Sequence, residues 1–329
     1  MGWNARIVAG VAVLALAAGC QGGQKSGEDP RSTPPVKTPL PVQGLERIKA
    51  VSDRSSGASQ EMVARCPAGK KVLGGGGQVI GGGREVRMSG LRPQPDGSGY
   101  WVRADEDGDG YAKAWSLEAY AMCAREPAGL EYLTAKSQDS VHPNEELPLG
   151  MLIGDRRRGA IVTCPAGKNL TGGGVEVLEA SGNAVVSFTG GTNGETEGED
   201  EPAELTARAF LKGGGTANPQ IVGHAVCVDP LEKYHRMSNR DLSFEVEKKE
   251  SKVSCVEGMR MLGLSVYVVQ TGEPVAGENI FDALTLIGAV PNEKLEKAVL
   301  AAVPHAEFKE HNDSTWLIGG SVYCAKTVP

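Results

Sequence analysis

Polar and apolar residues alternate with a period of two along much of the chain. The clearest stretches are residues 84–91, 100–104, 115–122, 184–188 and 204–211. Alternation of this kind places successive side chains on opposite faces of a pleated strand, so it predicts β-structure. Only residues 292–303 suggest a helix, and there the pattern fits a strand equally well. The sequence therefore predicts an all-β protein.

Six of the seven cysteines divide the chain after residue 44 into three copies of a degenerate repeat. The first copy begins Cys66-Pro-Ala-Gly-Lys and the second begins Cys164-Pro-Ala-Gly-Lys. The third begins at Cys255 and retains only the glycines at positions 258 and 263 of this motif. Each copy closes with an apolar strand that carries its second cysteine. A unit of this length suits a β-sandwich of about six strands.

The repeats predict three tandem, small, antiparallel β-sandwich-like domains. Their expected boundaries are residues 44–127, 128–231 and 232–329, and the third is divergent. A leading strand is expected near the start of each copy, at residues 45–51, 130–136 and 242–248.

The positions of the cysteines indicate how they pair. Six cysteines permit fifteen pairings, but every copy has one early and one late cysteine. This favours one disulfide in each copy: Cys66–Cys123, Cys164–Cys227 and Cys255–Cys324. The alternative, a zinc site, lacks the close Cys-x-x-Cys spacing that such sites use. Structural disulfides indicate an oxidising compartment outside the cytoplasm.

The N-terminus has the pattern of an export signal. Arg6 precedes an apolar run that is too short for a transmembrane helix, and the run ends in Ala17-Ala18-Gly19-Cys20. This ending resembles the lipobox of bacterial lipoproteins, although Leu16 stands one position earlier than that family prefers. The resemblance implies that residues 1–19 are a signal peptide and that Cys20 carries acyl chains, which would anchor the protein to a membrane.

Residues 20–43 are expected to be a disordered, lipid-anchored linker. They are rich in glycine and proline and have few apolar side chains, so they cannot bury enough surface to offset the entropy of ordering. The Cys-Pro-x-Gly-Lys…Gly-Gly-Gly repeat that follows resembles one found in exported bacterial proteins of unknown function. That resemblance implies no particular activity or functional residue.

Composition and charge exclude some partners. The chain has a net charge of −7, and an acidic surface repels polyphosphate, so nucleic acid is not expected as a partner. The basic run Arg156-Arg157-Arg158 is interpreted as a solvated loop or strand start. The chain has 45 glycines but only 5% aromatic residues, which is typical of a turn-rich β-protein with modest cores.

Two patterns suggest ligand chemistry. The glycine runs at residues 74–77 and 172–174 lack the Lys-Ser/Thr and the helix that a phosphate-binding loop requires. Glycine is therefore expected there for a bulge or a close contact between strands. Asp105, Asp107 and Asp109 match the start of a calcium loop but lack its closing glutamate, so they are a weak calcium candidate or a solvated acidic hairpin tip. Residues 195–201 are expected to form a comparable acidic tip.

No catalytic constellation is visible in the sequence. The five histidines share no repeat position, and His224 is expected to be a packed or edge residue on a closing strand. The chain is therefore predicted not to be an enzyme. The expected function is that of a lipid-anchored, extracytoplasmic binding or adhesion protein whose partner is an unknown protein or envelope glycan. The first alternative is a structural or assembly role in the cell envelope, and the less favoured one is an extracytoplasmic hydrolase.

Overall fold

Twenty β-strands form the described part of a computed structural model of the chain. The structure describes residues 37–107, 110–137, 157–178, 184–190, 203–211, 220–241, 248–270, 284–304 and 316–329. Among these residues no helix is long and apolar enough to cross a membrane. Cys20, Asp109, the predicted signal peptide and most of the predicted linker lie outside the described residues. The all-β prediction is confirmed.

The strands follow one another in a regular order. Those of the first repeat and the segment before it are β1 (Val42–Gln43), β2 (Glu46–Val51), β3 (Ser59–Arg65), β4 (Lys70–Ile80), β5 (Val86–Pro93), β6 (Gly99–Glu106) and β7 (Ser116–Arg125). Those of the second are β8 (Glu131–Lys136), β9 (Arg157–Thr163), β10 (Asn169–Leu178), β11 (Ala184–Gly190), β12 (Glu204–Leu211) and β13 (Gln220–Val228). Those of the third are β14 (His235–Asp241), β15 (Lys249–Ser254), β16 (Arg260–Gln270), β17 (Leu284–Pro291), β18 (Lys297–Pro304), β19 (Trp316–Ala325) and β20 (Thr327–Val328).

Three six-stranded sheets contain eighteen of these strands, and each sheet is shared by two repeats. Sheet I has the order β15-β18-β17-β4-β7-β2, sheet II the order β3-β6-β5-β10-β13-β8, and sheet III the order β14-β19-β16-β11-β12-β9. Each repeat therefore gives three strands to one sheet and three to the next. The repeats follow one another cyclically around a pseudo-threefold axis.

This exchange of strands corrects the prediction of three separate domains. Each repeat does supply six strands, as expected, but no sheet belongs to one repeat alone. One continuous hydrophobic core contains Trp115 of the first repeat, Phe188 of the second and Trp316 of the third. The boundaries at residues 127 and 231 therefore separate sequence repeats within a single folded unit, which spans residues 37–329.

Three glycines bring the central strands together at the axis. Gly74 in β4, Gly172 in β10 and Gly263 in β16 each stand eight residues after the first cysteine of their repeat. A Cβ on Gly74 would lie 2.5 Å from the Cα of Gly263, and one on Gly172 would lie 2.8 Å from the Cα of Gly74. Each glycine follows a β-bulge in its own strand. The expected close contact between strands is confirmed, and only glycine fits it.

The rest of the repeat motif is also structural. Gly69 has a φ of +80° in a turn closed by the amide of Lys70, which donates to the carbonyl of Pro67 at 3.1 Å. The Lys70 ammonium then reaches back to the carbonyl of Gly44 at 2.6 Å. In the second repeat, Lys168 makes the same contact with the carbonyl of Gly129. The motif lysine thus fixes the start of the leading strand.

The three predicted disulfides are present, and each joins two different sheets. Cys66–Cys123 links the end of β3 in sheet II to β7 in sheet I. Cys164–Cys227 links sheet III to sheet II, and Cys255–Cys324 links sheet I to sheet III. The disulfides therefore cross-link all three sheets, and their presence indicates a location outside the cytoplasm.

Part of the expected linker belongs to the fold. β1 pairs in parallel with β20, so a segment before the first repeat contacts the C-terminal end of the third. Val42 is only 1% exposed and packs on a ring that closes one end of the axis. The ring residues are Leu73, Ala124, Val228, Leu231, Leu262 and Ala325. Residues 37–43 were expected to be disordered, and the burial of Val42 explains why they are not.

One further strand prediction differs from the structure. The third leading strand is β14 rather than residues 242–248, because His235 pairs with Cys324 as Glu46 pairs with Cys123. Residues 242–247 lie outside the described residues. Residues 292–303 contain a turn and then β18, so the strand alternative is the correct one. Arg157 and Arg158 stand at the start of β9, and Arg156 is not described.

A prediction follows from the contact at the axis. Substitution Gly263→Ala places a Cβ 2.9 Å from the Cα of Gly172, where backbone rather than a movable side chain must yield. We expect a loss of about 3 kcal/mol in the free energy of unfolding. The matched control is Gly288→Ala in β17, whose new Cβ would meet nothing closer than 3.6 Å. Chemical denaturation of the two variants measures the difference, and equal losses would contradict the close contact.

The shared sheets predict one unfolding transition for the whole folded unit. Three independent sandwiches would instead melt separately. Removing one disulfide with Cys164→Ala and Cys227→Ala is expected to cost about 4 kcal/mol and to lower the melting temperature of all three repeats together. Calorimetry of the oxidised protein and of this variant tests the expectation. A separate transition that involves only the second repeat would show that the repeats fold independently.

Candidate functional site

The connections between described strands differ in length from one repeat to another. At the base, where Val42 and the three motif turns lie, the β3–β4, β9–β10 and β15–β16 connections all have four or five residues. At the distal end, the β8–β9 connection has about three times the length of the equivalent β2–β3 connection. The β16–β17 connection is likewise more than twice as long as β4–β5. The repeats also diverge at the base, where the β11–β12 connection, which ends beside Cys164, is more than twice as long as β5–β6 and β17–β18.

The acidic segment of the first repeat lies at this distal end. It joins β6 of sheet II to β7 of sheet I, so it is a crossover between sheets rather than the expected hairpin tip. Residues 195–201 instead join β11 to β12, which pair directly. The prediction that the two acidic stretches occupy equivalent positions is therefore wrong. Residues 195–201 themselves lie outside the described residues.

Asp105 and Asp107 are both buried and both have protein partners. Asp105 accepts hydrogen bonds from the Ser89 hydroxyl and from the Arg103 guanidinium, the latter at 2.9 Å. Asp107 lies 3.4 Å from the Nη2 atom of Arg87, and both side chains are 1% exposed. These arginines supply the positive charge that a cation would otherwise supply.

Glu106 organises the rest of the acidic segment. Its carboxylate accepts from the Trp115 indole and from the backbone amide of Tyr111, both at 3.1 Å. No cluster of three potential metal ligands occurs among the described residues. The described part of the segment is therefore built as a structural crossover, while the calcium prediction for Asp105, Asp107 and Asp109 stays a prediction.

A polar network on the outer face of sheet II joins the first two repeats. Arg92 of β5 donates to Glu176 of β10 at 2.8 Å, and its guanidinium stacks 4.6 Å from the centre of the Trp101 ring. The Trp101 indole in turn donates to Glu61 of β3 at 3.2 Å. Only two residue pairs connect β5 to β10, so this network reinforces the junction between the two repeats.

His224 completes this network, as a buried residue on a closing strand. The sequence predicted this placement, and the side chain is 8% exposed. Its Nε2 atom lies 3.6 Å from Glu176 and has no hydrogen-bond partner. Burial alone would raise the pKa of Glu176, but the interactions with His224 and Arg92 outweigh it and hold the pKa below its ordinary value. Among the described residues, the side chain beside His224 is a carboxylate that is paired with an arginine, not a nucleophile.

The other two sheets carry different chemistry at the corresponding position. Tyr120 in sheet I, His224 in sheet II and Ser321 in sheet III each stand three residues before the second cysteine of their repeat. Arg47 and Lys49 lie over the Tyr120 ring, whereas Ser321 is hydrogen-bonded to Ser238 at 2.8 Å. The outer faces have thus diverged around a common interior.

A cleft of about 430 Å³ lies at the base between the junctions of the repeats. Lys37, Leu40, Arg125 and Asp229 contribute to its walls. Lys37 pairs with Asp229 at 2.7 Å, and Arg125 donates to Gln43 at 3.4 Å. Lys37, Asp229 and Arg125 thus contact residues of the cleft itself, as the side chains of a packed junction do.

Comparison with known proteins gives no further information on the site. No protein-family model matches the chain, and no match was found among curated proteins.

The network on sheet II predicts a specific pH dependence. Because folding lowers the pKa of Glu176, its carboxylate stabilises the fold at every pH above 4.5, the ordinary pKa of a glutamate. This contribution is lost as the pH falls through the lower pKa of the folded state. Glu176→Gln should therefore be less stable than wild type at pH 7 and should lose less stability on acidification. Melting temperatures between pH 3 and pH 7 measure this.

Glu293→Gln serves as the control. The Glu293 side chain is 91% exposed and lies 3.9 Å from Arg47. We expect the acid limb of its stability curve to match that of wild type. If Glu176→Gln also followed the wild-type curve, the network would contribute nothing to the junction of the first two repeats.

Proposed function

We propose that this protein is a lipid-anchored, extracytoplasmic binding protein that presents its distal loops to a protein or envelope glycan and catalyses no reaction. The observation that carries the proposal is that the interior is constant while some connections between strands vary in length. The motif turns and the axial glycines recur in all three repeats, whereas two of the three longest connections between described strands, β8–β9 and β16–β17, begin and end at the distal end. Binding sites commonly lie on variable loops that a rigid scaffold positions.

The position of residues 37–43 and of β20 supports this orientation. Residues 37–43 and the C-terminal β20 meet at the base. If Cys20 carries acyl chains, the linker joins the folded unit at the end opposite the distal loops. Those loops then face away from the membrane, where a partner can reach them.

The internal pairing of polar groups supports a non-catalytic role. The described carboxylates of the acidic segment contact Arg103, Arg87 and Trp115. The buried pair of His224 with Glu176 contacts Arg92. A structural role in the envelope is the second candidate, and the disulfide-crossed single core would suit it equally well.

Site-specific photo-crosslinking in intact cells tests the proposal. A photoreactive residue replaces Lys113, which is exposed in the distal β6–β7 connection, or Lys294, which is exposed in a turn at the base. We expect a discrete crosslinked partner from position 113 and none from position 294. Crosslinks from neither position, together with an envelope defect on deletion, would favour the structural role.

The lipid anchor has its own control. Labelling with a palmitate analogue should be lost in Cys20→Ala, and the protein should leave the membrane fraction. Persistent labelling would exclude Cys20 as the acylated residue without affecting the crosslinking result.

A further inference from the structure

The outer faces of the three sheets can be compared position by position. An equivalent row of three residues crosses each face, with one residue from the leading strand, one from the closing strand and one from the central strand. The rows are Val51, Glu118 and Gln78 in sheet I, Lys136, Val222 and Glu176 in sheet II, and Arg240, Gly319 and Tyr267 in sheet III. Differences between these rows therefore show how the faces have diverged.

The rows in the first two sheets contain their own carboxylate, and each carboxylate is paired with a cation of the protein. Glu118 in sheet I pairs with Lys49 at 2.7 Å, and Glu176 in sheet II pairs with Arg92 at 2.8 Å. In sheet III a glycine and a tyrosine stand at the two positions that these carboxylates occupy. The third row therefore has a cation but no carboxylate.

Arg240 is the cation of the third row, and it is exposed. Among the described residues no carboxylate forms an ion pair with it. The adjacent Asp241 stands on the opposite side of β14, where its carboxylate accepts a hydrogen bond from the backbone amide of Glu250 at 3.3 Å. The guanidinium can therefore offer its fork of N–H donors to a carboxylate from outside the protein.

The Tyr267 ring provides a flat apolar surface beside this cation. A Cβ on Gly319 would lie 2.6 Å from the Cζ atom of Tyr267, so the ring lies across β19 directly over the glycine. Burial raises the pKa of the Tyr267 hydroxyl, and the charge of Arg240 acts in the opposite direction, so the guanidinium lies near the hydroxyl. Unlike the rings of Tyr120 and Trp101, this ring has no stacked cation among the described residues.

Two hydroxyl groups lie next to this row. Ser238 and Ser321 are hydrogen-bonded to each other at 2.8 Å, two residues nearer the base, and Ser238 is exposed. A sugar that carries a carboxylate matches this combination, because its C–H groups pack on an aromatic face while its hydroxyls and carboxylate bond to serine and arginine. An acidic peptide would use the arginine but would leave the ring and the serines without a matching group.

We propose that the outer face of sheet III around Arg240 and Tyr267 binds a carboxylate-bearing sugar of an acidic envelope glycan. The ligand carboxylate pairs with Arg240, as the protein's own carboxylates pair with cations in the other two sheets, and the sugar ring stacks on Tyr267. Arg240 is the last residue but one of β14, which runs from the base towards the distal end, so the site adjoins the distal loops. The inference rests on the binding function proposed above and narrows its ligand.

Isothermal titration calorimetry of the full chain with a hexasaccharide of galacturonate tests the site. We expect saturable binding that is lost when the carboxylates of the same hexasaccharide are methyl-esterified. Arg240→Gln should weaken binding about tenfold or more, because it removes the charged hydrogen bonds to the carboxylate. Lys136→Gln is the matched control, since Lys136 is exposed at the equivalent position of sheet II, and it should bind as wild type does.

A third variant, Tyr267→Glu, places in sheet III the carboxylate that sheet II has at this position, and it should abolish binding. Arg240 and Lys136 are both exposed, so their substitution should leave the melting temperature unchanged. Equal weakening by Arg240→Gln and Lys136→Gln would overturn the proposal, as would binding of the methyl ester or no binding to wild type. None of these results alters the crosslinking from position 113, which tests the binding function itself.

Discussion

The contact between three glycine backbones at the axis is the constraint on which the rest of the structure depends. Gly74, Gly172 and Gly263 allow the central strands of the three sheets to approach more closely than any side chain would permit. Only at that separation can the inner faces of all three sheets share one core. The β-bulge that precedes each glycine turns its strand towards the axis, and the disulfides then cross-link the sheets on either side.

Much of this interior could be predicted from the sequence, because it depends on local patterns. The alternation of polar and apolar residues predicted most strands. The presence of one early and one late cysteine in each repeat predicted the disulfide pairing. The sharing of sheets could not be predicted in this way. Six alternating strands look the same whether they form one sandwich or two half-sheets completed by neighbouring repeats. A signal was nevertheless present: the divergent third repeat keeps only Gly258 and Gly263 of the motif glycines, the two that the turn and the axis require.

The polar groups were harder to interpret from sequence, because their partners lie far away along the chain. Asp107 reads as a metal ligand beside Asp105, yet its counter-charge is Arg87, which comes from another strand of the same sheet. Likewise, Arg92 and Glu176 belong to different repeats, and nothing local connects them. Whether a carboxylate-rich segment can bind a metal ion depends on which cationic side chains the fold places beside it. For this reason the acidic motif alone could suggest calcium while the structure pairs its described carboxylates internally.

The joins between the repeats are not equivalent. The first repeat continues covalently into the second, and the second into the third. The third is joined to the first by the β17–β4 pairing within sheet I and, in addition, by the short β1–β20 pairing and the burial of Val42. The chain that leads towards Cys20 leaves the fold at this non-covalent join, so a pull on the linker acts first on residues 37–43. The hydrogen bond from the Lys70 ammonium to the carbonyl of Gly44 lies immediately after that segment and holds the start of β2 in sheet I. Residues 37–43 therefore reinforce the join between the third and first repeats, which is why they are folded.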